Sequence, residues 1–84
     1  MTYKQFLDLA TQYHQQYPEM RKGQAFMNCL YQVNPYLHDL ISTTEFDCFY
    51  DNSRYWNFLQ IVEKNITDQV ENKRFNLPKV IKLY

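Results

Sequence analysis

The 84 residues predict an all-α fold: a compact bundle of three longer helices plus one or two short ones, followed by a C-terminal arm. Three observations carry that expectation. Apolar side chains recur at steps of three and four through three long stretches, the spacing that gathers them on one side of a helix. Residues suited to capping helix starts stand at Thr2, at Asn34 and in the run Asp51, Asn52, Ser53. Six Phe, eight Tyr and one Trp let a short chain bury a core without disulfides or a metal. The length allows one domain, divided here into a helical body, residues 1–72, and an arm, 73–84, expected to dock on it.

The first helix is expected to run from the Thr2 cap to about Tyr17. Thr2 and Gln5 have the spacing of a capping box, in which each residue's side chain bonds the other's backbone N–H. Phe6, Leu9, Ala10, Tyr13 and Tyr17 form its expected buried face. His14 lies at the edge of that face and reads as a packing residue. Pro18 separates this helix from the next, since proline suits a first helical turn and disfavours helical geometry in the residue before it.

The second helix is expected over 19–32, with Met20, Gly23, Phe26, Met27, Leu30 and Val33 as its apolar stripe. Gly23 is the chain's single glycine. Inside a helix it costs about 1 kcal/mol relative to alanine. The expected compensation is a close crossing with another helix or a bound chain, where a side chain would not fit. Gln24 and Asn28 flank it four residues apart, with Tyr31 one turn on. This polar ladder either completes an internal hydrogen-bond network or meets a partner.

Asn34 and Pro35 stop one helix and start a short one, through Ile41, with Leu37, Leu40 and Ile41 pointing inward. Thr44 and Asp47 again have capping-box spacing, and a single helical turn is expected around 45–50, anchored by Phe46 and Phe49. The last long helix, about 54–70, carries the stripe Tyr55, Phe58, Leu59, Val62, Ile66 and Val70. Trp56 flanks it. Core packing is the favoured reading of that ring, because an exposed tryptophan invites aggregation unless a partner uses it. The arm is basic and partly apolar, with Pro78 opposing a continuous helix. It reads as an extended arm docked on the body or a strand added to another chain.

Chemistry is weakly represented. Glu45, Asp47 and Asp51 lack the ligand series and turn glycine of a calcium loop, and His38 with Cys48 lacks any zinc-ligand spacing, so no metal or other cofactor is expected. No nucleophile motif surrounds Cys29 or Cys48, and no glycine-rich loop exists to hold a phosphate; an enzyme is not expected. The thiols read as buried and reduced in a cytoplasmic protein without a secretory leader. Nine Lys and Arg balance nine Asp and Glu, whereas nucleic-acid binders draw affinity from a basic excess. A helix-turn-helix reading fails on Tyr36 to Ile41, which presents Asp39 and no Arg or Lys to phosphates.

The central residues Gly23, Gln24, Ala25, Asn28, Leu30, Tyr31, Val33 and Pro35, with Asp47, Cys48, Phe49, Tyr50 and Asp51 after them, resemble a pattern of small phage and bacterial helical proteins. The resemblance covers about a third of the chain and brings no activity with it. It implies a phage or mobile-element origin, where such proteins act as inhibitors or adaptors of host proteins. The leading expectation is therefore a protein-protein interaction module, engaging a protein partner or itself and not a membrane. A nucleic-acid-binding or transcription-regulatory helical protein is the alternative. Gln24, Asn28, Tyr31, Asp51 and Trp56 are the expected partner-binding residues.

Overall fold

The computed structural model describes residues 1–66, and over these the chain is all-α. Its elements are α1, Tyr3–Gln16; α2, Lys22–Val33; α3, Pro35–Ile41; a 3₁₀ turn, Asn52–Arg54; and α4, Tyr55–Ile66. The arm and Val70 lie outside the described residues. Among the described residues, no helix is long and apolar enough to cross a membrane.

The capping box at the start of α1 is present in both directions: Gln5 N–H donates to Thr2 Oγ1 at 3.1 Å and Thr2 N–H to Gln5 Oε1 at 2.8 Å. The helix stops before Pro18, as proline requires. Its buried face differs from the expected one. Phe6 and Ala10 are buried, but Leu9 and Tyr17 are exposed, and Tyr3 and Leu7 pack against the core instead. Two stripes share Phe6 and Ala10, and periodicity alone does not choose between them. The choice is made by partners on two sides, since Phe6 meets the Phe26 ring of α2 edge-on at 5.9 Å and tilts against Phe58 of α4 at 6.3 Å. These three fully buried rings tie α1, α2 and α4 together.

Glu19 and Met20, the expected start of α2, instead belong to a turn closed by Met20 N–H donating to the Tyr17 carbonyl at 3.0 Å, and Arg21 is extended. His14 Nε2 lies 2.9 Å from the Met20 carbonyl and clips this turn to α1 as a donor. The helix then begins at Lys22 without a local side-chain cap. Its cap comes from far along the chain: Gly23 N–H, one of the donors any helix leaves unpaired at its start, donates to Asn52 Oδ1 at 3.0 Å. The close approach expected at Gly23 is real, but it is made by a loop and not by a helix. A Cβ at this position would run into the backbone carbonyl of Cys48, while the Cys48 thiol donates to the Gly23 carbonyl at 3.6 Å.

α3 starts as anticipated, with Leu37 N–H donating to Asn34 Oδ1 at 3.1 Å and Pro35 in the first turn. Leu37 and Ile41 are buried, whereas Leu40 is exposed. Seven residues give two turns, and only one flank of so short a helix meets the core.

Residues 42–51 are irregular, with turns at 42–43 and 45–46 and a bend at 49–50, and do not form the helical turn expected there; the 3₁₀ turn falls later, at Asn52–Arg54. Thr44 and Asp47 still cap, though not as a reciprocal box. Asp47 accepts from Thr43 N–H at 2.7 Å and Phe49 N–H at 2.9 Å, and Thr44 Oγ1 donates to the Ile41 carbonyl at 2.5 Å. These bonds hold Thr43 at φ 64°, a left-handed conformation that costs a β-branched residue on the order of 1 kcal/mol or more. Asp51 accepts from Ser53 N–H at 2.9 Å and starts the 3₁₀ turn that leads into α4.

Substituting Gly23→Ala tests the junction. Helix propensity alone favours alanine by about 1 kcal/mol. The Cys48 carbonyl, a backbone atom with little room to yield, outweighs that gain, and a net loss of about 1–3 kcal/mol is expected, read as a lower urea midpoint at unchanged m.

Candidate functional site

The surface feature with the most distinctive chemistry is a row of rings and cations built from α2, the 42–51 loop and the start of α4. Trp56 rests edge-on against Tyr55 with centroids 5.4 Å apart. Lys22 Nζ sits over the Tyr55 ring, 4.6 Å from its centroid. Beside it, Arg21 reaches back to the loop, donating to the Phe49 carbonyl at 3.1 Å and lying 5.9 Å from the Tyr50 centroid. Tyr50 in turn meets Phe49 edge-on at 4.7 Å. At 73 % and 71 % exposure, Tyr50 and Trp56 are the most open large rings among the described residues.

Local structure explains the display. Tyr55, Phe58, Leu59, Val62 and Ile66 form the inward arc of α4, and Trp56 lies outside it, turned to the surface. The core placement favoured for Trp56 is therefore corrected. Tyr50 sits where the loop bends before the Asp51 cap, one residue beyond the anchored Phe49. Cation–π contacts of this kind contribute about 0.5–1 kcal/mol at exposed sites, enough to bias side chains that would otherwise sample many rotamers.

A groove of ≈ 290 Å³ continues from Tyr50. Met27, His38, Thr43, Asp47 and Phe49 also line it. His38 Nδ1 is 3.2 Å from Asp39 Oδ1, and its ring meets Tyr31 edge-on at 5.1 Å. A second groove of ≈ 200 Å³ between α1 and α2 is lined by Leu9, Gln12, Tyr13, Gln16, Cys29 and Gln32.

The five residues expected to bind a partner are dispersed over these features. Trp56 ends the row of rings, and Tyr31, half exposed, flanks the first groove through His38. Asp51 is exposed beside the row but is occupied in capping, accepting from Ser53 N–H and Oγ and pairing with Arg54 at 3.5 Å. Those Ser53 bonds hold its carboxyl below the usual carboxylate range. Asn28 is half-buried with its amide 3.9 Å from Met20 Sδ, and Gln24 is half-buried; neither belongs to the row nor lines either groove. No Gln24–Asn28 hydrogen-bond ladder forms among the described residues. The sequence shows Arg21 and Lys22 as a basic pair on a solvated helix surface and does not single out Tyr50 beside them. The adjacent cations were visible, but the rings that hold them lie 29 and 33 positions further on.

The thiols are not poised for nucleophilic work. Cys48 is fully buried, and burial, with the Asp47 carboxylate beside it, pushes its pKa up to about 12. Burial raises Cys29 to about 11. A His38–Cys48 pair in an accessible cleft would require an exposed thiol, and this one is sealed. Among the described residues, no three His, Cys, Asp or Glu gather to hold a metal ion.

No family model, curated protein or solved structure matches the chain.

The raised thiol values set an alkaline limit. A group that stays protonated longer in the folded state makes the native form bind more protons than the unfolded one, so stability falls as pH rises. The contribution is complete below the ordinary thiol value of about 9 and is lost through about 11 and 12. The phenols of half-buried Tyr3 and buried Tyr55, also raised by burial, act in the same direction. Urea midpoints measured from pH 7 to 11 are expected to hold to about 9 and then decline. At pH 8 a thiol reagent should label both cysteines only after unfolding.

Proposed function

We propose that this protein is a non-enzymatic interaction module whose partner-binding surface is the row Tyr50, Arg21, Lys22, Tyr55 and Trp56. The observation that carries the reading is the exposure of Tyr50 and Trp56 at two points of a row already ordered by Arg21 and Lys22. Tryptophan, tyrosine and arginine dominate binding energy at protein interfaces, because each combines large contact area with a polar group and loses little freedom when held beforehand. A cytoplasmic inhibitor or adaptor of a host protein, encoded by a phage or mobile element, is the role that fits the central resemblance.

Charge supports a protein partner over nucleic acid. Residues 1–66 carry five Lys and Arg against seven Asp and Glu, a net of −2. Four of those five cations are already engaged within the chain: Lys4 with Asp8, Arg21 with the loop, Lys22 with Tyr55 and Arg54 with Asp51. A phosphate-binding surface needs such groups available.

The test uses the tagged full chain to capture proteins from its native host. A specific protein retained by the wild type should be lost, or bound about 30-fold or more weakly, by a Tyr50→Ala, Trp56→Ala double variant, since interface anchors of this kind cost about 2 kcal/mol or more on truncation. Both side chains are exposed, so helical circular dichroism should be unchanged. Equal retention by the variant would refute the surface. Recovery of random duplex DNA that is released by salt would favour the nucleic-acid reading.

A further inference from the structure

We propose that the groove lined by Met27, His38, Thr43, Asp47, Phe49 and Tyr50 is the docking site, within the same chain, of the C-terminal segment 75–84. Three observations point to this occupant. The first is charge. Residues 73–84 hold Lys73, Arg74, Lys79 and Lys82 and no Asp or Glu, whereas the body, residues 1–72, carries five Lys and Arg against nine Asp and Glu, a net charge of −4. Within that body, three acidic groups lie at this groove, where Asp47 lines it, Asp39 contacts the His38 ring that lines it and exposed Glu45 lies on the loop that forms one wall, against one cation, Arg21, which is held on Phe49 and Tyr50. The second groove, between α1 and α2, has no carboxylate in its lining, so charge complementarity selects the first.

Apolar content is the second observation. The segment alternates its lysines with Leu77, Val80, Ile81 and Leu83, and the groove offers the Met27 side chain and the Phe49 and Tyr50 rings as a floor and wall. Burying a few such side chains supplies the attraction, while the lysines at the rim set the position. Asp47 contributes charge without needing a new hydrogen bond, because both of its oxygens already accept backbone N–H groups.

Reach is the third. α4 packs directly on α3, which carries His38, so the chain leaves Ile66 from an element adjoining the groove. The eight residues 67–74 can span up to roughly 27 Å when extended, and docking within one chain avoids the loss of translational freedom that a second chain would bring. The groove shares the Tyr50 ring with the partner-binding row, so contacts of the segment to Met27 and Phe49, which are not part of that row, decide this inference separately from the proposed function.

Nuclear Overhauser spectra of the full chain with labelled methyl groups test it directly. Contacts are expected between the methyls of Val80, Ile81 and Leu83 and the side chains of Met27, Phe49 and Tyr50, and a Lys79→Glu, Lys82→Glu variant should weaken them with helical content unchanged. A mixture of labelled and unlabelled chains, filtered for contacts between molecules, should show none. Contacts to Leu9, Tyr13 or any other surface, the absence of contacts to the body, or contacts seen only between molecules would each overturn the proposal. Unchanged contacts in the charge-reversed variant would overturn the electrostatic selection of this groove.

Discussion

The structure depends on the meeting of Gly23 with the loop that carries Cys48 and Asn52. Four separate requirements converge there. α2 begins without a local cap, the loop must cross its first turn closely, the Cys48 thiol must be buried with a partner, and the start of α4 must be aimed at the core. One arrangement answers all of them: the loop lies against a bare Cα, Asn52 caps the helix, and the thiol donates to the Gly23 carbonyl. Any side chain at residue 23 separates these partners together. The junction also explains how a chain without a disulfide holds an irregular loop of ten residues, since its ends are fixed by Ile41 and Tyr55 in the core and its middle by Cys48.

Within that loop, local hydrogen bonds carry what regular structure elsewhere provides. Asp47 is nearly buried, yet it is satisfied by two backbone donors, and no buried side-chain nitrogen or oxygen among the described residues is left without a partner. The strained Thr43 backbone is the counterpart of this arrangement. Its N–H is the donor that Asp47 needs, and the left-handed conformation is what aims it there. Phe49 is thereby anchored and Tyr50 turned out, so the display of one ring on the surface follows from the burial of a carboxylate beneath it.

Sequence reading succeeded where the determinant was local. The Thr2–Gln5 box, the Asn34–Pro35 restart and the stripe of α4 each involve residues within a few positions of one another, and the box, the restart and the stripe from Tyr55 to Ile66 appear in the structure as anticipated. It failed where two local solutions were equivalent or where the partner was remote. Leu9 and Leu7 both continue a stripe through Phe6 and Ala10, and only the rings of α2 and α4 decide between them. α2 starts three residues later than the sequence suggests, because Pro18 and Glu19 make an acceptable first turn, while the actual cap, Asn52, lies 29 residues from the N–H it serves. The need for a bare backbone at Gly23 was legible; the identity of what approaches it was not.

The same division governs the candidate surface. The cost of an exposed tryptophan favours a core reading from sequence, but at about 100° per residue Trp56 falls outside the arc of α4 that Tyr55, Phe58, Leu59, Ile61, Val62 and Ile66 bury. With Trp56 outside, the cost of exposure must be offset or tolerated. The Tyr55 edge beneath it and the Lys22 ammonium over the neighbouring ring shield part of the ring system and restrict its motion. A ring kept in one place on the surface loses less entropy when a partner covers it than a ring that moves freely. Order imposed by Arg21 and Lys22 thus stabilises the fold and, in the proposed partner-binding role, lowers the entropy cost of recognition through the same contacts.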